Sequence, residues 1–322
     1  MTNFQVYRKT LPFSLLRFLV DIASLIVLIG SAVAGFFIAN QSTSRALIGM
    51  VVGLVIGIIL NIVIQIFVDN RIKAAQISMM VKGVTEESLP DHTVKAGFDE
   101  IKGRFGKITS FLVVTWGIKA IFRQISRGIN RVATAIGGDT GNTITSVIDS
   151  AIQTLIEYLC ECCMGWVLFR KEQGTAKSAC EGAVIFFKNG KSLFRNIGRI
   201  FGMGLLSLIV VGGLFFGLDY GISLLIPSAW QGLANEISEA AIRGGEEALA
   251  FLLNVTNLML IASGLFALIL WSMVHKVLIR PFILVGVMRN FMQAGIANMP
   301  TEQDFAELDS KSPRFAKMHN EI

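Results

Sequence analysis

Apolar residues in this chain gather into long runs, and the polar stretches between them are short. Residues 18–39 form an apolar run of 22, and residues 46–68 form a second. At about 1.5 Å per residue each can cross the roughly 30 Å hydrocarbon core of a bilayer. Residues 200–226 and 248–274 repeat the pattern. The first of these is interrupted by Asp219 and closed by Pro227, and the second ends at His275 and Lys276. Between the two pairs lie two less apolar arms, 108–135 and 143–169, joined by Gly137-Gly138-Asp139-Thr140-Gly141-Asn142, a strong turn signal. Each arm, at about 28 residues or roughly 42 Å as a helix, is also long enough to span. The pattern predicts an all-α polytopic bundle of about six transmembrane helices in three hairpins.

Three shorter stretches, 71–82, 176–187 and 277–292, alternate apolar and polar positions with helical spacing. They predict amphipathic helices at the cytoplasmic membrane surface. Residues 1–292 then form the transmembrane domain and 293–322 a polar cytoplasmic tail. In the second span Gly49, Gly53 and Gly57 repeat every four residues and offer a surface for close helix packing. Asn61, Gln65 and Asp69 continue that spacing as a polar stripe near its end. Ala32-Val33-Ala34 resembles a signal-peptidase site, but a second span follows at once, so a retained anchor is expected.

The central hairpin carries the most informative polar pattern. Its first arm places Lys119, Arg123, Arg127 and Arg131 at four-residue steps, and its second places Asp149, Gln153, Glu157 and Glu161. Each series lies along one helical face. Folded antiparallel about the turn, the arms oppose Arg131 with Asp149, Arg127 with Gln153, Arg123 with Glu157 and Lys119 with Glu161. Three rungs are ion pairs and one sets an arginine against a neutral amide. Water-facing helices show similar series, so the topology of the whole chain has to decide.

Charge distribution supplies that test. Of 29 Lys and Arg, four lie in the hairpin; residues 1–17, 69–107, 170–199 and 275–322 hold 3, 7, 7 and 6. The intervening segments 40–45, 136–142 and 227–247 hold 1, 0 and 1. Such alternation fits six spans with both termini in the cytoplasm, provided both hairpin arms cross. The expected location is the cell membrane, plasma or bacterial inner. Composition agrees: 53% of residues are hydrophobic, 16% are charged and mean hydropathy is +0.61, against about 25% charged in a soluble domain. A basic approach, a span, an outer turn, a second span and an amphipathic exit occur three times, although hairpin topology alone generates much of that likeness.

The polar residues form no recognisable catalytic or metal-binding pattern. The three histidines, His92, His275 and His319, fall in no zinc-ligand spacing, and no phosphate-binding glycine loop occurs. Ser263 and His275 lie three helical turns apart, too far for a nucleophile and its base, and Asp219 is a lone acid. Cys160, Cys162 and Cys163 cluster near the end of the fourth span, where small packing residues explain them better than metal binding or acylation. The stretch Cys180–Arg199 resembles choline-transporter-like proteins but carries no diagnostic motif, so no property is taken from it. Neither an enzyme nor a cofactor is expected.

The expected function is a small permease or channel, with the charge zipper lining or gating its path. Arg127 has no acid opposite, which suits an anionic solute. The alternative is a membrane scaffold or assembly protein, whose zipper is structural and whose basic cytoplasmic face holds lipid or a partner. Expected partners are the bilayer and anionic lipid at the cytoplasmic face, with a second copy or a partner membrane subunit left open. Nucleic acid is not expected, because the basic excess sits beside the spans.

Overall fold

The computed structural model describes residues 1–39, 43–102, 119, 141–194, 197–243 and 254–320. Regular structure among them is helical throughout. In chain order the helices are α1 (Asn3–Ile38), α2 (Thr43–Ile64), α3 (Asn70–Thr85), α4 (Thr93–Ile101), α5 (Gly141–Phe169), α6 (Thr175–Phe194) and α7 (Ile197–Ser207). They continue with α8 (Gly213–Ser223), α9 (Pro227–Arg243), α10 (Val255–Val274), α11 (Arg280–Ala297), α12 (Glu302–Lys311) and α13 (Pro313–Asn320). Single π-helical turns join α2 to α3 at Gln65–Asp69, α7 to α8 at Leu208–Gly212, and α10 to α11 at His275–Ile279.

Among the described residues four helical runs are long and apolar enough to cross a membrane: Asn3–Ile38, Ile48–Thr85, Gly202–Ser223 and Val255–Ala297. They contain much of the runs 18–39, 46–68, 200–226 and 248–274. Ile48, Val51, Val55, Ile59, Ile62 and Phe67 leave apolar surface exposed along the second of them. So large an exposed apolar surface needs lipid to cover it. Helix α5, the second arm of the central hairpin, is not among the four. The first arm lies outside the described residues except at Lys119, so neither the six-span count nor the three-hairpin arrangement is seen.

Packing divides the chain into two compact units, 1–198 with 281–322, and 199–280. The first contains the α1/α2 hairpin, and the glycine pattern explains how it closes. A Cβ added at Gly53 would strike the Ser31 carbonyl, one at Gly49 the Gly35 carbonyl, and one at Gly57 the Ser31 hydroxyl. Backbones can approach that closely only where side chains are missing, which is what small residues four apart provide.

Beyond the hairpin the same unit packs into a helical core. The segment 71–82 is helical, as α3, but Ile72, Ala74, Ala75, Ile77, Met79, Met80, Val81 and Val84 are all buried. Much of 176–187 and 277–292 is likewise buried, in α6 and α11. Protein covers much of the apolar faces of these three segments. Helix α5 is buried nearly all round from Ile156 to Leu168, the mark of a central helix. Gly165 admits its neighbours: an added Cβ would sit 2.7 Å from Met288 Sδ of α11 and 2.8 Å from Val81 Cγ2 of α3.

The C-terminal segment is polar in composition yet folded. Thr301 and Asp304 form a capping box that opens α12. Phe305, Leu308 and Phe315 are buried against Cys180, Ala183 and Val184 of α6. Lys188 on α6 pairs with Asp304 at 2.9 Å.

Candidate functional site

The polar groups of the first unit concentrate where α1 and α2 leave their apolar stretches. Arg17 and Asp21 stand four apart on α1, facing Asp69 and Gln65 at the ends of the π-helical turn. Arg17 Nε donates to Asp69 Oδ1 at 2.7 Å and its Nη2 to Oδ2 at 3.1 Å, a bidentate pair with side chains only 12% and 8% exposed. Gln65 Nε2 donates to Asp21 Oδ1 at 3.3 Å. Farther along α3, Gln76 Nε2 donates to Ser14 Oγ at 2.7 Å and to the Thr10 carbonyl at 3.5 Å. These contacts keep one antiparallel register, so the seam is a polar ladder continuous with the glycine-packed part of the hairpin. Ser24, one turn beyond Asp21, is buried with its hydroxyl unpaired.

A second polar cluster lies within the other unit, between α7 and α10. Trp271 Nε1 donates to Ser207 Oγ at 3.1 Å, and Ser207 Oγ donates to the Gly204 carbonyl at 2.7 Å. His275 Nδ1 stands 3.4 Å from the same hydroxyl, with its ring 5.2 Å from that of Trp271. Ser207 immediately precedes one π-helical turn and His275 opens another. Both clusters therefore sit where an apolar helix departs from α geometry, and π-turns often mark functional sites.

The central charge zipper is only partly within the described residues. Arg123, Arg127 and Arg131 lie outside them, as does the side chain of Asp149. Gln153 and Glu157 are exposed on α5. Lys119 is half-exposed and close enough to Cys160 for its charge to act on that thiol. Glu161 is buried and pairs with Lys73 of α3 at 2.6 Å, a partner the hairpin pattern did not supply. Asn61 is half-buried one turn before Gln65. The signal that would have found Lys73 is a further four-residue step along Asn61, Gln65 and Asp69. Arg17 and Asp21 carry the same spacing on α1.

Cys160, Cys162, Cys163 and Cys180 are unpaired and buried. Burial pushes the Cys180 thiol up to about 12, with Asp309 and Glu181 adding to the effect, so it stays protonated near neutral pH. Among the described residues no group of His, Cys, Asp and Glu is arranged to hold a metal ion. Comparison with family models, with curated proteins and with solved structures finds no match.

Proposed function

We propose that this chain is a small multi-pass permease or channel of the cell membrane, with both termini in the cytoplasm. One observation carries the reading: polar side chains cluster where apolar helices break into π-helical turns, at Asp21, Gln65 and Asp69 and again at Ser207 and His275. An ionisable group inside a span costs about 3 kcal/mol at the bilayer centre on insertion scales, is paired where it occurs, and tends to mark a solute or ion path. Interrupted spans with polar groups at the break are how transporters build such paths. An anionic solute follows from the sequence register of the hairpin, which sets Arg127 against the neutral amide of Gln153. The cytoplasmic placement rests on the concentration of Lys and Arg in 1–17, 69–107, 170–199 and 275–322.

A membrane scaffold is the second reading. It is favoured by the closure of Arg17–Asp69 and Lys73–Glu161, which join helices and leave little of either carboxylate exposed. Purified protein in neutral-lipid liposomes separates the two. Transport predicts flux of at least one small anion above empty vesicles, reduced by Asp21→Asn or His275→Gln in variants that still fold. Flux equal to empty vesicles across a panel of anions and cations would leave the scaffold.

A further inference from the structure

A second region of the first unit carries chemistry that the span clusters do not use. An open cavity of about 860 Å³ is lined by Arg8, Lys9 and Pro12 of α1 and by Asp91, His92, Thr93, Val94 and Lys95 where α4 begins. Three cations face one carboxylate, with His92 as a further nitrogen donor. Lys9 is held in place by donating to the Leu89 carbonyl at 3.1 Å. Arg8 and Lys95 are exposed, and neither has an ion pair or hydrogen bond among the described residues. His92 makes no side-chain bond to the first turn of α4, so the leading N–H groups there are not capped by it.

From this basic cavity of Arg8, Lys9 and Lys95 we infer a binding site for a soluble, multiply charged phosphoryl anion. The volume is of the size that holds small ligands, roughly 300–1,000 Å³. Guanidinium and ammonium groups arriving from two separate chain segments match a group with several negative oxygens. A single carboxylate would gain little over the Asp91 already present.

Depth along α1 separates a soluble anion from a lipid headgroup. Helix α1 is continuous from Asn3 to Ile38 and its apolar run begins at Phe18. Lys9 is nine positions earlier, about 13 Å along the axis at about 1.5 Å per residue. A tilt of about 40° would still leave roughly 10 Å. The headgroup layer is only about 5–7 Å thick on each side, judged from total and hydrocarbon thicknesses. The cations Arg8 and Lys9 of the cavity therefore lie beyond the headgroups on the water side. The site does not depend on the transport reading and is compatible with a channel or a scaffold equally.

The test uses the full chain in detergent and in neutral-lipid nanodiscs, with inorganic pyrophosphate and ATP as probes in titration calorimetry. Saturable binding of at least one probe in both settings is expected. Arg8→Gln and Lys95→Gln should each weaken it roughly tenfold, consistent with losing one charge-assisted contact. Lys317→Gln, an exposed cation on α13, should leave it unchanged, and all variants should elute as the parent does in size exclusion. Three results would overturn the inference. One is no saturable binding of either probe up to about 10 mM. Another is equal weakening by Lys317→Gln, which would mean general charge attraction. The third is soluble probes failing while short-chain phosphatidylglycerol binds in a manner dependent on Arg8 and Lys95, which would make the ligand a lipid.

Discussion

The Arg17–Asp69 pair offers the most direct test of the polar seam. Its two hydrogen bonds of 2.7 and 3.1 Å use both carboxylate oxygens, and the side chains retain 12% and 8% of their exposure. Exposed ion pairs contribute about 0.2–1 kcal/mol, while breaking a fully buried pair costs roughly 3–5 kcal/mol because the surviving charge is orphaned. With about nine-tenths of each side chain covered, the pair belongs near the lower part of that second range. Arg17→Met or Asp69→Leu alone should each cost about 2–4 kcal/mol. Replacing both with apolar residues, Arg17→Met with Asp69→Leu, should cost markedly less than the two single effects added together. Asp69 has other contacts, so the cycle rather than either single variant isolates the pair. Stability would be measured by denaturant unfolding in detergent, followed through Trp166, which is fully buried in the same unit. A coupling energy below about 0.5 kcal/mol would refute a buried, energetically linked pair.

The glycine seam predicts that Gly53→Leu abolishes folded protein, since even a methyl group would strike the Ser31 backbone; normal yield and an unchanged melting curve would contradict the packing described. At Gly165 an added methyl meets the flexible end of Met288 and a methyl of Val81, so Gly165→Ala should cost about 1–3 kcal/mol and Gly165→Val more, in the same unfolding assay. Asp304 accepts from the Thr301 backbone N–H and from Lys188, and these hold its carboxyl below the usual carboxylate range. A depressed folded value gives stability that is present above the ordinary carboxylate pKa and lost as pH falls through the folded one. Docking of α12 and α13 should therefore persist to about pH 4 and weaken below it. A fluorophore at Ser310 should report that release, and Asp304→Asn should reduce its pH dependence.

Much of the hairpin was legible because its signals are local. Four apolar runs are visible as long windows of high mean hydropathy, and Gly49, Gly53 and Gly57 identify their own face by their spacing. The stripe Asn61, Gln65 and Asp69 was equally plain, yet its partners were not. A periodic series shows which side of a helix is polar but not which helix covers it. Arg17 and Asp21 were hidden because one stands just before an apolar run and the other within it, so a window average absorbs both. Glu161 adds a contact that the hairpin register does not contain, an ion pair to Lys73 on α3. Antiparallel arithmetic reads only the helix next in the chain, and a central helix such as α5 has several neighbours.

The π-helical turn at Gln65–Asp69 links the seam to the burial of α3. Before the turn, α2 is apolar around most of its circumference, with Ile59, Leu60, Ile62 and Val63 exposed. After it, α3 is buried on nearly every side, including Gln76 and Ser78. The same chain direction must thus serve two solvents, lipid and protein, within a few residues. One extra residue in a helix rotates the downstream turns by about 100°, which redirects their faces without ending the helix. The loosened turn is also where carboxylate and amide side chains can be held by a neighbour, and Arg17 and Asp21 supply that neighbour. Polar pairing and the change of helical pitch are therefore two parts of one solution. The pairing fixes the depth at which α1 and α2 meet, and the extra residue turns α3 into the core. At the turn His275–Ile279 the polar partner is Ser207, so polar pairing at a π-helical turn recurs within 199–280, with a hydroxyl and an imidazole in place of the ion pair.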